Sequence, residues 1–261
     1  MKTNFFKYQA TGNDFVILDN RKDEYDNIQE EQIRKICEKK FGVGADGLIL
    51  LNTKVGFDFE MKYYNADGKR GSLCGNGSRC LIKFYHHLGF HQESYKFLTS
   101  DGEHEATISD DGIVSLKMKD VVALASHHGD FIVNTGSPHY IKLVTKLESL
   151  NVYEKGRAIR YSKEFEHHGI NVNFVEQLEE SELISVRTYE RGVENETLSC
   201  GTGVTAAALV CYHNEAGFNE VKVKTLGGLL TVEYERIDDG FYKNIWLCGP
   251  AEKVFEGSIS V

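Results

Sequence analysis

Several features are missing from this sequence, and each absence removes a class of function. No apolar run approaches the roughly 20 residues of a membrane-spanning helix, so no membrane span is expected. The opening Met1-Lys2-Thr3-Asn4-Phe5-Phe6-Lys7 has too short an apolar stretch for a secretory signal, which predicts a cytoplasmic protein. No block of Lys and Arg stands out and the net charge is −9, which argues against nucleic acid as a main partner. There is no Cys-x-x-Cys, so the usual redox motif is absent. The short Cys-x2–4-Cys pairs of structural zinc sites are absent too. A cytoplasmic compartment keeps thiols reduced, so the six cysteines are expected as thiols rather than as a disulfide framework. The 261 residues suffice for one or two domains with a full core, and the charged and apolar fractions are ordinary for a soluble globular chain.

What stands out instead is a short motif that occurs twice. Cys74-Gly75-Asn76-Gly77 and Cys200-Gly201-Thr202-Gly203 lie 126 positions apart, close to half the chain. Around them, strand-like runs with short turns dominate. Residues 57–64 read as a strand ending in Asn65-Ala66-Asp67-Gly68, and 95–99, 103–108 and 113–118 read as a meander with glycine turns. Residues 184–189, 221–225, 229–235 and 241–247 repeat the theme. Helices are expected over 30–39, from the spacing of Ile33, Ile36 and Cys37, and behind each motif over 76–87 and 202–214. The last of these is apolar around most of its circumference, as a buried helix is.

Thr99 and Thr225 each follow their cysteine by 25 positions, and Gly102 and Gly228 by 28. Upstream, Thr11-Gly12 and Thr135-Gly136 stand at nearly the same offset. A common register before and after the cysteines indicates a duplicated unit. The expected fold is therefore of the α/β (α+β) class, with two pseudo-symmetric halves, each a mostly antiparallel sheet rolled around a central helix. The boundary is placed after the first meander: residues 1–120, joined by 250–261 as an added strand, carry Cys74, and residues 121–249 carry Cys200.

A thiol at a helix N-terminus has chemical consequences. The N–H groups of the first turn and the macrodipole favour the thiolate over its ordinary pKa of about 8.5. The same N–H groups bind carboxylates, and the glycines let a ligand approach the backbone closely. Two such thiols acting on one carbon, one starting as thiolate and one as thiol, remove a proton from one face and return one to the other. Donors aimed at the substrate carboxylate stabilise the charge that develops there. These features point to a cofactor-independent racemase or epimerase. A lone buried cysteine is usually a small core residue, and Cys37, Cys80, Cys211 and Cys248 fit that description. The adjacent pairs His86-His87, His127-His128 and His167-His168 read as solvated rather than as metal ligands. Asparagines in such loops are commonly turn residues, and a Glu-Arg pair is commonly a surface ion pair. A non-enzymatic metal- or ligand-binding protein that uses the thiols is the reading from another class.

Beyond the cysteine motifs, Tyr8-Gln9-Ala10-Thr11-Gly12-Asn13-Asp14-Phe15, Asn65-Ala66-Asp67-Gly68, Tyr189-Glu190-Arg191-Gly192 and the flanks Leu73 to Cys80 and Ser199 to Gly203 complete a pattern. In this order and over nearly the whole chain, it resembles the diaminopimelate epimerase family. The resemblance implies pyridoxal-independent interconversion of LL- and meso-2,6-diaminopimelate, in lysine and peptidoglycan-precursor biosynthesis. It also implies a site in the cleft between the halves, no cofactor or metal, and a homodimer. Carried over by motif, Cys74 and Cys200 are the acid–base pair. Gly75, Asn76, Gly201 and Thr202 supply backbone N–H groups to the reacting carboxylate. Asn13, Asn65 and Asn171 contact substrate. Glu190 and Arg191 handle an ammonium and a carboxylate, and His139 and Glu190 tune the thiols. Arg191 suits a second carboxylate because guanidinium binds it bidentately. A two-thiol racemase of the proline or hydroxyproline type, which has no distal amino-acid end to read, is the nearest alternative. Three positions depart from the family pattern. Gly47 stands where some members carry glutamine and Ser137 where many carry asparagine, and Glu194-Asn195 interrupts a glycine usual before the second cysteine.

Overall fold

The structure is a computed structural model that describes residues 2–71, 73–178, 183–211 and 215–260. The chain divides into two compact units, Met1–Leu116 with Gly249–Val261, and Lys117–Cys248.

The first unit contains β1 (Lys2–Ala10), β2 (Asn13–Asp19), α1 (Glu30–Cys37), β3 (Gly47–Asn52), β4 (Phe59–Asn65), α2 (Gly75–His87), β5 (Tyr95–Thr99), β6 (Gly102–Ile108) and β7 (Val114–Lys117), the last ending at the unit boundary. The final strand of the chain, Glu252–Ser260, pairs antiparallel with β1. From that strand the sheet runs β1, β2, β3, β4, β5, β6, β7. The β2–β3 and β4–β5 neighbours are parallel and all others antiparallel. Each parallel step needs a crossover, and α1 and α2 supply them. The two helices play different parts. α1 puts Ile33, Ile36 and Cys37 against Phe5, Val16, Leu18, Leu48 and Leu50 on one face of the sheet. α2 packs against β1, β2, β3, β4, β6 and the final strand, so the sheet curls around it.

The second unit contains β8 (Leu124–His127), β9 (Asp130–Asn134), β10 (Pro138–Leu143), α3 (Val152–Arg160), β11 (Asn171–Gln177), β12 (Leu183–Glu190), β13 (Asn195–Thr197), α4 (Gly201–Cys211), β14 (Gly217–Thr225), β15 (Gly228–Asp238) and β16 (Phe241–Gly249). Its sheet runs β8, β9, β10, β11, β12, β14, β15, β16, with the short β13 added beside β12. Here β10–β11 and β12–β14 are parallel and the rest antiparallel. The order of parallel and antiparallel steps is the same as in the first unit, and α3 and α4 stand where α1 and α2 stand. This shared topology is the structural signature of the duplication.

α4 packs against β9, β10, β11, β12, β14 and β15. It buries Val204, Ala206, Ala207, Ala208 and Leu209, an all-round apolar surface that suits the centre of a rolled sheet. Residues 212–214 of the expected helix lie outside the described residues. α3 is an element that hydrophobic spacing did not reveal. Its N-cap is Asn151, whose side chain accepts the Glu154 N–H at 3.1 Å, and Val152 joins Tyr140, Leu147, Ile170, Val172, Phe174 and Tyr189 in a core. Gly156 lets α3 lie on Tyr189: a Cβ there would sit 2.3 Å from the tyrosine Cβ.

The matched turns have matched geometry. Thr99 pairs with Gly102, and Thr225 with Gly228, across tight turns whose glycines have φ of 126° and 142°. The Thr225 hydroxyl donates to the Gly228 carbonyl at 2.9 Å, whereas the Thr99 hydroxyl, 3.4 Å from the Gly102 carbonyl, donates to Asp101 Oδ1 at 2.6 Å. Gly12 and Gly136 have φ of 82° and 109°, values that glycine adopts without a Cβ clash.

Candidate active site

In the first unit Cys74 caps α2 in an extended conformation, and its carbonyl accepts the Ser78 N–H at 2.8 Å to open the helix. Gly75, Asn76 and Gly77 form the first turn, whose N–H groups fall outside the intrahelical ladder and project from the helix end. The sulfur lies 3.8 Å from Asn13 Oδ1. Asn13 is held by Asp46, which accepts its Nδ2 at 2.6 Å, and by Asn76, whose Nδ2 donates to the same Oδ1 at 3.3 Å. Behind them Arg79, fully buried, donates to Asn76 Oδ1 at 2.9 Å and to Thr11 Oγ1 at 3.2 Å. Thr11, of the first matched Thr-Gly turn, thus ties the β1–β2 hairpin to α2. Asp46 is fixed in turn by N–H bonds exchanged with Asp14, and Asp14 pairs with the buried Lys7 at 2.7 Å.

Asn65, at the end of β4, is exposed and pairs in register with Gly47. A Cβ on Gly47 would lie 2.6 Å from the Tyr63 ring and from the Tyr64 carbonyl. The Tyr63 ring therefore occupies the space that a longer side chain at 47 would need, and its hydroxyl donates to Asn65 Oδ1 at 3.0 Å. In this chain a side chain at position 47 would collide with Tyr63, so the glycine is required by the packing.

In the second unit Cys200 precedes α4, and its carbonyl accepts the Val204 N–H at 2.8 Å, as Cys74 does for Ser78. Gly201, Thr202 and Gly203 form the first turn. Thr135, of the second Thr-Gly turn, donates to the Thr202 carbonyl at 2.8 Å. The Thr202 hydroxyl lies 3.6 Å from the Cys200 sulfur and 2.9 Å from His139 Nε2. His139 is fully buried, and its Nδ1 lies 3.0 Å from Asn173 Nδ2. Asn173 also donates to the Tyr140 carbonyl at 3.2 Å and accepts from Thr188 at 2.9 Å, both on Asn173's own side chain. Burial, with the nearby positive charge of Arg191, lowers the His139 pKa from its ordinary value to about 3, so the ring is neutral. Gly203 makes this packing possible: a Cβ there would meet Asn173 Oδ1 at 2.3 Å. At the equivalent glycine, Gly77, the nearest atoms to such a Cβ are side-chain carbons of Ile49, Met61 and Phe15, at 3.1 to 3.4 Å.

Asn171, Glu190 and Arg191 also come together within this unit. Asn171 Nδ2 donates to Ser137 Oγ at 2.9 Å and to the Pro138 carbonyl at 3.2 Å, while its Oδ1 accepts the Arg191 N–H at 2.9 Å. The asparagine amide thus holds the turn that carries Arg191. The guanidinium donates to the His168 carbonyl at 2.9 Å and to Ser137 Oγ at 3.5 Å, and Glu190 accepts from Thr197 at 3.0 Å. Ser137 joins Asn171 to Arg191, a role its departure from asparagine does not remove. In the loop before Cys200, where Glu194-Asn195 interrupts the usual glycine, Glu194 has φ of 55°, a left-handed conformation that favours glycine. Its carboxylate accepts the Gly192 N–H at 3.1 Å, and the pKa is lowered by that bond and by Tyr161, Arg160 and Tyr189 against the opposing effect of burial.

Sequence reasoning did not single out Asp46, Arg79, Asn173 or Thr188, which orient the named residues. Asn173 stands two positions after Asn171 on β11, a period-two signal for one face of a strand. Burial drives the Cys37 and Cys211 thiols up to about 12 and raises that of Cys80 further, consistent with core cysteines. Among the described residues no three His, Cys, Asp or Glu side chains are grouped as metal ligands, and no helix is long and apolar enough to cross a membrane.

The chain is similar to known proteins over nearly its whole length. A profile described as diaminopimelate epimerase matches residues 5–124 and 131–254. A relative from Flavobacterium psychrophilum, named diaminopimelate epimerase, is 43% identical over 97% of this chain and 99% of its own. One of the same name from Chlorobaculum tepidum is 41% identical over 97% and 99%. Among solved structures, a Bacillus anthracis phenazine biosynthesis protein of the PhzF family superposes with a TM-score of 0.77 over the full length of both chains, at 18% identity. That likeness supports the fold alone.

Proposed function

The chain belongs to the diaminopimelate epimerase family, and from that premise we propose that Cys74 and Cys200 are the acid–base pair of a two-base epimerisation. The reaction is the interconversion of LL- and meso-2,6-diaminopimelate, an isomerase step in the biosynthesis of lysine and peptidoglycan precursors. The observation that carries the thiol assignment is that both cysteines immediately precede a helix and accept its first intrahelical bond with their carbonyls.

In this reading one thiolate takes the α-proton, and the C–H electron pair stays on the substrate and spreads into the α-carboxylate. The N–H groups of Gly75, Asn76, Gly201 and Thr202 meet that carboxylate and stabilise its added charge. The other thiol then delivers a proton to the opposite face, which inverts the centre and leaves the two sulfurs in exchanged states. Arg191 takes the distal carboxylate, Glu190 the distal ammonium, and Asn13, Asn65 and Asn171 complete substrate recognition, with Asn171 also holding the Arg191 turn. His139 acts on Cys200 through Thr202. No observation favours a proline-type substrate, which would leave Arg191 and Glu190 without a distal end to hold. A cytoplasmic homodimer without nucleic-acid or membrane partners remains part of the proposal, and sedimentation velocity at the mass of two chains tests the dimer.

The direct test is incubation with LL-diaminopimelate in D2O under reducing conditions without pyridoxal phosphate. The expected result is the meso isomer with deuterium at one α-carbon. Absence of both exchange and conversion would overturn the proposal.

A further inference from the structure

The two sulfurs sit in hydrogen-bond networks of opposite polarity, and from this we propose that the resting enzyme holds Cys74 as the thiol and Cys200 as the thiolate. This inference rests on the acid–base reading above and deepens it, because it says which cysteine is the base before substrate arrives.

Each network is oriented by groups that have only one possible role. In the first unit the guanidinium of Arg79 can only donate, so the Asn76 atom facing it is Oδ1, and Nδ2 is turned to Asn13. The carboxylate of Asp46 accepts from Asn13, so the Asn13 atom facing it is Nδ2 and the atom facing Asn76 is Oδ1. Both anchors give Asn13 the same orientation, and the atom 3.8 Å from Cys74 is a carbonyl oxygen. An acceptor beside sulfur favours S–H, which can donate to it, over S⁻, which it repels.

In the second unit the Tyr140 carbonyl can only accept, and Thr188 donates to the opposite end of the Asn173 amide. Asn173 therefore turns Nδ2 to His139 Nδ1, which must accept. The neutral ring then carries its proton on Nε2 and donates it to Thr202 Oγ1. Because Thr202 Oγ1 accepts from the ring, its own proton is available to the Cys200 sulfur at 3.6 Å, the other polar atom beside that hydroxyl. A donor beside sulfur favours the thiolate. Asn173 is thus a positioning residue: it touches no sulfur, and it acts by fixing the tautomer of His139. The charged and titratable groups on the elements that carry these networks are Asp14, Asp46, Arg79 and Cys80 in the first unit and His139, Glu190 and Arg191 in the second.

The test is the pH dependence of iodoacetamide alkylation in the full-length reduced enzyme, read for each cysteine peptide by mass spectrometry. Midpoints rather than rates are compared, because Cys74 is more exposed than Cys200. The Cys200 midpoint is expected below that of Cys74 by about one pH unit or more, the scale of a hydrogen bond to a charged group. Thr202→Val removes the donor and should raise the Cys200 midpoint, leave that of Cys74 in place, and be reversed by Thr202→Ser. Equal midpoints, a lower midpoint at Cys74, or a Cys200 midpoint indifferent to Thr202→Val would each overturn the assignment. Conversion of LL-diaminopimelate by the same preparation separates this from failure of the epimerase reading: an active enzyme with the reversed order refutes only the polarity.

Discussion

Gly77 and Gly203 hold the same place in the two motifs, yet alanine should be tolerated at one and damaging at the other. At Gly203 the new Cβ would lie 2.3 Å from Asn173 Oδ1 and 3.3 Å from His139 Cε1. Asn173 and His139 are both fully buried, so neither can swing into solvent. Overpacking of this kind costs about 1–3 kcal/mol. Displacing Asn173 also breaks its bonds to Thr188 and His139, at about 1 kcal/mol each. Alanine in place of a helical glycine returns up to about 1 kcal/mol. The net expectation is a loss of about 2–4 kcal/mol, a fall in thermal midpoint of about 5–10 °C, and a large loss of turnover, because Thr202 loses the His139 proton that orients it. At Gly77 the nearest atoms are the tips of Ile49 and Met61 and a Phe15 ring edge, none closer than 3.1 Å. Small shifts suffice there, and Gly77→Ala should stay within about 1 kcal/mol of wild type. Scanning fluorimetry and the epimerase assay on both variants check the pair. If Gly203→Ala melts and turns over like wild type, or if Gly77→Ala is as damaging, the packing around Asn173 has been misread.

Further expectations concern the core and titration. Leu209 is fully buried at the centre of the second roll, so Leu209→Ala should cost about 2–5 kcal/mol in urea unfolding. A loss below 1 kcal/mol would mean that α4 is not the centre of a packed core. His139 has a folded-state pKa of about 3, below its unfolded value, so its contribution to stability is fully present above about 6.5 and is lost as pH falls towards 3. The stability–pH slope in that window should shrink in His139→Gln, and an unchanged slope would show that His139 is not the group responsible. Cys37, Cys80 and Cys211 are held protonated by burial, so they should resist alkylation at pH 8 until the protein is unfolded. Prompt labelling of any of them in the native protein would contradict their placement.

The architecture was legible where a local rule determined it. The paired Thr-Gly turns at residues 99–102 and 225–228 announced the duplication because tight turns demand positive φ and glycine supplies it. The helices behind Cys74 and Cys200 followed from their apolar spacing and the motif that opens them. α3 was not legible: it buries only Val152 and Gly156, and an interior glycine argues against a helix unless the packing partner, Tyr189, is known. The site shows the same division. The cysteines and the glycine-rich turns that follow them were visible as motifs, whereas the residues that orient them were not. Asp46, just before β3, and Asn173, on β11, act on Asn13 and His139 across 33 and 34 positions of sequence, which only the folded sheet brings together. The direction of each hydrogen bond, which gives the two halves their different chemistry, depends on those distant anchors.

The claim at the centre of this account is that each half supplies one indispensable thiol. It is tested most directly by measuring epimerisation of LL-diaminopimelate by Cys74→Ser and Cys200→Ser, each confirmed folded by its melting curve. Loss of a general acid or base typically costs about 10²–10⁴-fold, and both variants should fall at least a hundredfold below wild type. A folded single variant that epimerises at nearly the wild-type rate would contradict the two-thiol mechanism.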